Sequence, residues 1–281
     1  MVRKIRFLLI LSFLAFIGQA NAQFDDPKTL EVGPHAGLSY YMGDLNPTLP
    51  FAMSQLEYGG VVRFNYNNRW TFRADYSYVT VKADDEIIKW RPERDLNFTS
   101  KIHDLSFVAE FNFMEYYTGN PKRNVSPYIF GGLSVFYYTA FTTIADSLID
   151  LSDHLTEPAP AEPKWYDNAF GKTSPIGISI PFGMGVKLAL SKHMAATVEW
   201  RMQKTFTDYL DDVGTVYPAR SQRPTVTVGG VTYDLSDPTG NFEEDQQRGN
   251  SVFNDWFGMA RVSLTWKFNL PDGRGCNLSK F

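Results

Sequence analysis

The sequence predicts an all-β protein, an eight-stranded antiparallel transmembrane β-barrel with short periplasmic turns and long extracellular loops. Three observations predict it: apolar and polar residues alternate along eight segments, the links between segments are alternately short and long, and aromatic residues are abundant, with 22 Phe, 15 Tyr and 6 Trp. Alternation with a period of two places neighbouring side chains on opposite faces of a strand. Most segments exceed the roughly 5–6 residues of soluble strands and suffice for the about 9–11 residues that cross a bilayer.

The first 22 residues have the pattern of a secretory signal peptide. A basic start is followed by an apolar run over 7–17 and by the A-x-A pattern of Ala20-Asn21-Ala22. The apolar run is too short to cross a bilayer as a helix. We therefore predict cleavage between Ala22 and Gln23 and export from the cytoplasm.

The barrel is predicted to occupy 23–268, ahead of a periplasmic tail over 269–281. In the first segment Val32 and Ala36 alternate with Glu31 and His35, and the next two segments alternate in the same way. The same period recurs in the five segments that follow. The eight predicted strands are 30–42, 57–66, 70–78, 103–113, 127–141, 176–190, 194–207 and 255–268.

Alternation alone also fits a soluble, lipocalin-like barrel. The composition of the polar face distinguishes the two kinds of barrel. That face is rich in Gly, Ser, Thr and Asn, and its acidic and basic residues nearly cancel. Balanced charge suits a closed interior, where each buried charge needs a partner. The predicted interior charge cluster consists of Glu31, Arg63, Arg73, Asp75, Glu110, Lys187, Glu199, Arg201 and Arg261.

The links and the aromatic residues favour the membrane barrel. Links near 67–69 and 191–193 are short, whereas those near 142–175 and 208–250 are long. Short turns on one side and long loops on the other are typical of outer-membrane barrels. Tyr and Trp residues fall near both ends of the predicted strands, where membrane proteins place aromatic belts. Eight strands leave an interior that side chains fill, which argues against a diffusion porin.

Composition excludes several functional classes. One Cys excludes a disulfide framework, and a net charge of −4 gives no basic footprint for nucleic acid. No small-molecule substrate, metal or cofactor is predicted. His35 and Ser39 share the inward face with Glu31, which fits either a hydrolase site or an interior hydrogen-bond cluster; we predict no enzyme.

The segment 204–213 is the most distinctive part of the chain. It contains Thr207, Asp208, Tyr209, Asp211 and Asp212, just beyond the seventh predicted strand. Their carboxylates fit either a Ca²⁺ site or a lip that hydrogen-bonds loop backbone and pairs with Arg201 or Arg261. EF-hand spacing is absent from them.

This segment resembles the signature of the PorG-like outer-membrane barrels of Bacteroidota. Segments 33–45, 127–132, 180–187 and 199–201 are similar too, and the resemblance covers nearly the whole mature chain. It implies a structural component of the type IX protein secretion and gliding machinery, associated with a periplasmic ring of PorK, a lipoprotein, and PorN. The long insertions at 142–175 and 208–250 depart from the family pattern.

The resemblance leaves two functions open: an anchor for that ring, and a free-standing barrel for envelope integrity or adhesion through its long loops. In either case the chain sits among outer-membrane lipid with both termini in the periplasm. The periplasmic surface then includes the 114–125 turn and the tail, where Cys276 either pairs with a partner's Cys or stays unpaired. The predicted contact residues are Tyr116, Tyr117, Lys122, Arg123 and Cys276.

Overall fold

The computed structural model describes residues 28–152, 154, 156–158, 175–250 and 252–270. The predicted cleavage site at Ala22 and Gln23 lies outside the described residues, as do Cys276 and all but the first two residues of the predicted tail.

Eight strands form one closed antiparallel barrel. Neighbours in the chain pair with each other throughout, and the first and last strands close the ring through pairs such as Leu30 with Phe268 and Ala36 with Val262. The fold is thus an eight-stranded antiparallel transmembrane β-barrel, as predicted. The barrel strands are β1 (Thr29–Met42), β2 (Gln55–Asn65), β3 (Trp70–Asp84), β4 (Asn97–Asn112), β5 (Val125–Ile144), β7 (Ile176–Ala189), β8 (Met194–Thr205) and β11 (Trp256–Asn269).

The two ends of the barrel differ as expected. The turn end carries the links 66–69, 113–124 and 190–193, and the loop end carries 43–54, 85–96, 145–175 and 206–255. The first barrel strand begins and the last one ends at the turn end, where Thr29 pairs with Asn269. Within the described residues, no helix is long and apolar enough to cross a membrane.

Three neighbouring strands are longer than predicted at the loop end. β3 continues to Asp84, β4 begins at Asn97 and β5 runs to Ile144, where it forms a hairpin with β6 (Ser147–Asp150). The predicted strands were too short here because the polarity pattern inverts. Polar Arg73, Asp75 and Ser77 of β3 point inward, and beyond them apolar Val79 and Val81 point inward instead. Beyond that point these strands have the pattern of a soluble protein, with an apolar inside.

An aromatic row marks the inversion on the outer surface. Tyr58, Tyr78, His103 and Tyr137 pair directly across four strands. Their rings contact one another, with centroids 5.3, 5.0 and 6.3 Å apart. Large apolar side chains such as Leu105 and Leu133 are exposed on the turn-end side of the row. The row therefore has the place and composition of an interfacial belt.

Smaller elements fold the loop end into a cap. Helix α1 (Asp85–Ile88) is capped by the Asp84 carboxylate, and 3-10 turns occupy Pro92–Arg94 and Arg220–Gln222. β9 (Thr225–Val228) and β10 (Val231–Asp234) form a separate hairpin that turns at a pair of glycines. Gly229 and Gly230 have φ of 59° and 84°, as a two-residue turn with left-handed backbone requires.

Candidate functional site

The middle of the barrel is filled by one ion-pair network centred on Arg73. Its guanidinium contacts Asp75 at 3.2 Å, Glu110 at 2.8 Å and also Glu199. The same group stands 4.7 Å from the centroid of the Phe130 ring. One cation thus joins three strands, because alternate residues of β3, β4 and β8 all point inward.

The other interior cations extend this network in both directions. Arg63 and Lys187 contact Glu110 at 3.3 and 2.6 Å. Arg261 contacts Glu199 at 2.8 Å and Asp75 at 3.1 Å, and Arg201 contacts Asp75 at 2.7 Å. All these side chains are almost fully buried, so each charge depends on its partners for stabilisation.

Asp104 is a further member of the network. It contacts Arg201 at 3.3 Å and accepts a hydrogen bond from the Gln203 amide at 2.7 Å. Its inward position follows from the alternation of β4. The structure thus brings eight of the nine residues of the predicted cluster together with Asp104, and only Glu31 stands apart from their ion pairs.

Glu31 lies nearer the turn end. It accepts hydrogen bonds from Asn65 at 3.1 Å, Thr118 at 2.5 Å and Thr265 at 3.1 Å. His35 instead contacts Glu57, with Nδ1 to Oε2 at 3.2 Å, and the Ser39 hydroxyl donates to the carbonyl of Thr80. The three residues considered as a hydrolase site therefore face separate partners, because four residues of extended chain separate each from the next by about 13 Å.

A loop from the turn end closes that end of the barrel. In the link 113–124, Tyr116 and Thr118 are buried, and the Lys267 ammonium donates to the Thr118 carbonyl at 2.5 Å. The prediction that Tyr116 offers a contact surface is therefore wrong for its side chain, which points into the barrel mouth. Lys122 is exposed, Arg123 contacts Glu115 at 3.1 Å, and Tyr117 lies under Lys267.

The loop end is closed by the segment that carries the family motif. Leu210 and Val213 are buried in an apolar cluster with Tyr41, Phe98, Phe136 and Phe257 inside the barrel mouth. The Tyr41 hydroxyl lies 2.5 Å from both the Asp211 and the Asp255 carboxylates. Backbone amides of Val213 and Leu210 donate to the same two carboxylates, each at 2.9 Å.

Two buried carboxylates around one hydroxyl cannot both ionise easily. Burial raises the pKa of Asp211 well above its usual range, and the nearby Asp255 and Asp44 charges raise it further. Burial likewise raises the pKa of Asp255, with Asp208 adding to the effect. The hydroxyl supplies one proton, so a second proton on the pair satisfies both acids.

The rest of the motif is bound to the cap. Asp212 accepts a hydrogen bond from the Thr156 hydroxyl at 2.5 Å, and its carbonyl accepts one from Arg248 at 2.6 Å. Arg248 also contacts Glu157 at 3.0 Å. Thr207 accepts from the Tyr209 amide at 3.3 Å, and the Asp208 carboxylate lies against Gly214.

The cation paired with the motif differs from the one predicted. Arg201 and Arg261 are engaged by Asp75, Asp104 and Glu199 deeper in the barrel, and Arg248 takes their place. Burial raises the pKa of Asp212 to about 7, although Arg248 and Thr156 act in the opposite direction. Among the residues described, no group of three or more His, Cys, Asp or Glu has the arrangement of a metal site.

These features define a small transmembrane β-barrel of the outer-membrane type, with a charged filling and an ordered cap. The chain belongs to the family described as Domain of unknown function (DUF6089), whose model matches residues 4–154. No curated protein matches the sequence.

Solved structures with the same kind of barrel are similar at low identity. Neisserial surface protein A (NspA) is 12% identical with a TM-score of 0.42, covering 85% of this chain and 97% of that one. OprG of Pseudomonas aeruginosa is 9% identical with a TM-score of 0.40, covering 87% and 97%. Ail, the attachment invasion locus protein of Yersinia pestis, is 10% identical with a TM-score of 0.37, covering 86% and 99%.

Proposed function

We propose that the protein is a non-enzymatic outer-membrane anchor of the type IX protein secretion and gliding machinery. In this proposal the loop end faces the exterior, the turn end and both termini face the periplasm, and the PorK and PorN ring binds the turn end. The proposal combines the filled barrel with the resemblance of the segment 204–213 to PorG-like proteins.

The observation that carries the proposal is the filled interior. The network around Arg73 occupies the middle of the barrel, Tyr116 enters one mouth, and Leu210 and Val213 enter the other. A barrel packed in this way serves as a rigid membrane-spanning body better than as a channel. A rigid body is what a periplasmic assembly needs in order to be held at the membrane.

The proposed contact surface lies on the link 113–124 and the chain termini beside it. Lys122 is exposed there, while Tyr117 and Arg123 are half-buried and so fixed in position by the loop. β11 ends at Asn269 at the same end of the barrel, so we propose that the residues that follow it, Cys276 among them, belong to the same contact surface. Deletion of 270–281 is therefore expected to leave a folded barrel and to weaken ring recovery in a pull-down.

Site-specific photo-cross-linking in native membranes tests the proposal. A photo-reactive residue at Lys122 is expected to capture PorN or PorK, whereas the same residue at Val231, exposed on the β9–β10 hairpin, is expected to capture neither. Equal capture from both positions, or ring proteins absent from the Lys122 products, contradicts the anchor.

The second candidate is a free-standing barrel for envelope integrity or adhesion. It is favoured by the cap, which buries polar networks of its own and leaves Val252 and Phe253 largely exposed. Cross-links from Val231 to surface ligands, with none from Lys122 to ring proteins, favour this candidate.

A further inference from the structure

A cleft of about 770 Å³ opens at the loop end beside the membrane surface of the barrel. Its floor is formed by outward-facing residues near the ends of three strands, Met42, Met202 and Trp256. Its walls come from the loop residues Trp90, Asn250, Phe253 and Asn254. The cleft belongs neither to the ion-pair network nor to the carboxylate pair.

The opening of the cleft exposes large aromatic faces. Trp90 is 54% exposed and Phe253 is 70% exposed, although both line a concave surface. Ligand sites are typically concave and lined by aromatic and apolar side chains with a few polar groups, and this cleft has that composition. The floor is ordered, because the Trp200 indole donates to the Tyr40 hydroxyl at 2.8 Å and that hydroxyl lies 3.0 Å from the Met202 sulfur.

The polar groups of the cleft are mixed in sign and type. The Asn250 amide hydrogen donates to the Asp44 carboxylate at 2.7 Å, and the Arg91 guanidinium contacts Glu93 at 3.1 Å. The side-chain amides of Asn250 and Asn254 each carry both a donor and an acceptor. The second arginine of the lining, Arg94, is held by the buried Asp85 at 2.6 Å, so both cations of the cleft are already paired. Paired charges with amides suit hydroxyl groups better than they suit a lone phosphate, which favours unpaired cations.

The cleft continues onto the lipid-facing surface. Trp256 lines it and pairs with Lys204 on β8, and Trp200 lies four pairs further toward the middle of the barrel. Trp200 is 42% exposed on the outward face. An amphiphile with its head in the cleft thus has an apolar path for its acyl chains along β8 and β11.

We propose that this cleft binds the sugar headgroup of a glycolipid, with the acyl chains lying over Trp200. The aromatic faces of Trp90 and Phe253 stack on the sugar rings, and Asn250 and Asn254 hydrogen-bond the hydroxyls. The site rests on the part of the proposed function that places the loop end in the outer leaflet. It does not depend on the periplasmic ring.

Native mass spectrometry of the full chain, released from phosphatidylcholine nanodiscs that contain lipid A, tests the site. The unaltered protein is expected to retain lipid A and not phosphatidylglycerol supplied in its place. Trp90→Ala and Phe253→Ala are each expected to weaken retention about tenfold, because aromatic side chains are among the contacts whose truncation weakens binding most. A tenfold loss corresponds to about 1.4 kcal/mol.

Trp70→Ala is the matched control, because Trp70 is an outward-facing Trp at the opposite end of the barrel, 41% exposed. Its retention of lipid A is expected to equal that of the unaltered protein, and heat-dependent gel mobility verifies folding of every variant. Unchanged retention in Trp90→Ala and Phe253→Ala overturns the site, and equal retention of phosphatidylglycerol overturns the sugar specificity. Cross-linking at Lys122 tests the periplasmic ring in a separate experiment. Failure of the ring proposal therefore leaves the lipid A measurement unaffected, and the two outcomes can be distinguished.

Discussion

Asp212 is well hydrogen-bonded and yet hard to ionise. Burial raises its pKa to about 7, and the neighbouring Glu157 adds to the increase. An unfolded Asp titrates near 3.9. Because the folded cap favours the protonated form, this contribution to stability is complete below about pH 4 and is lost as the pH rises through about 7.

We therefore expect the cap to loosen between about pH 4 and about pH 7, and Asp212→Asn to remove most of this dependence. Asn suits the position because Asp212 has a φ of 61°, a left-handed conformation that Asn tolerates. Hydrogen exchange of peptides from 206–255, corrected for the intrinsic effect of pH, measures the change. Equal pH dependence in both proteins contradicts the assignment to Asp212.

Tyr41 separates two acids that otherwise repel each other. Tyr41→Phe removes the hydroxyl that lies 2.5 Å from both Asp211 and Asp255, and we expect it to destabilise the barrel by about 1–3 kcal/mol. In Asp255→Asn the amide nitrogen donates to the Tyr41 oxygen and the hydroxyl donates to Asp211, so stability should be kept or raised at neutral pH. Urea unfolding followed by heat-dependent gel mobility measures the stability of both variants. Equal losses of stability contradict the arrangement in which Tyr41 hydrogen-bonds both acids.

At the scale of the element, the glycine pair of the β9–β10 hairpin acts through backbone conformation alone. No heavy atom lies within 4 Å of a Cβ built at Gly229 or Gly230. Gly229→Ala is therefore expected to open the hairpin through the left-handed penalty of about 1–2 kcal/mol, whereas Gly229→Asn is expected to keep it. Exchange protection of 225–234 in the two variants distinguishes backbone strain from steric crowding by the added side chain, because crowding would open the hairpin in both variants.

Strand alternation predicted the barrel, its order and most of its filling, because a period of two fixes which face each residue occupies. It missed the outer parts of β3, β4 and β5, where the inside becomes apolar and the outside polar. It also missed the inward turn of Tyr116, since a link of twelve residues carries no period. Arg248 as the partner of Asp212 was beyond prediction, because 35 residues of loop separate the two in the sequence.

At the scale of the whole molecule, the network around Arg73 makes the barrel a single packed body. Arg73→Met leaves Asp75, Glu110 and Glu199 without their shared cation, and we expect a loss of about 3–5 kcal/mol in urea unfolding. Arg220→Met is the control, because its pair with Glu243 is exposed and is worth about 0–1 kcal/mol. A similar loss in both variants contradicts a central role for the network.

The tall strands stand on one side of the barrel, so that side of the molecule differs from the opposite side within the plane of the membrane. β3, β4 and β5 rise past the aromatic row as a wall, while β1, β8 and β11 end near Met42, Thr205 and Trp256. In the cap, Leu210 and Val213 pack against these tall strands, and the cleft lined by Trp90 and Phe253 opens beside the shorter strands. Lipids and neighbouring proteins that diffuse in the membrane therefore contact two different sides of the barrel. A partner that contacts the cap from within the bilayer has to approach from the side of the shorter strands.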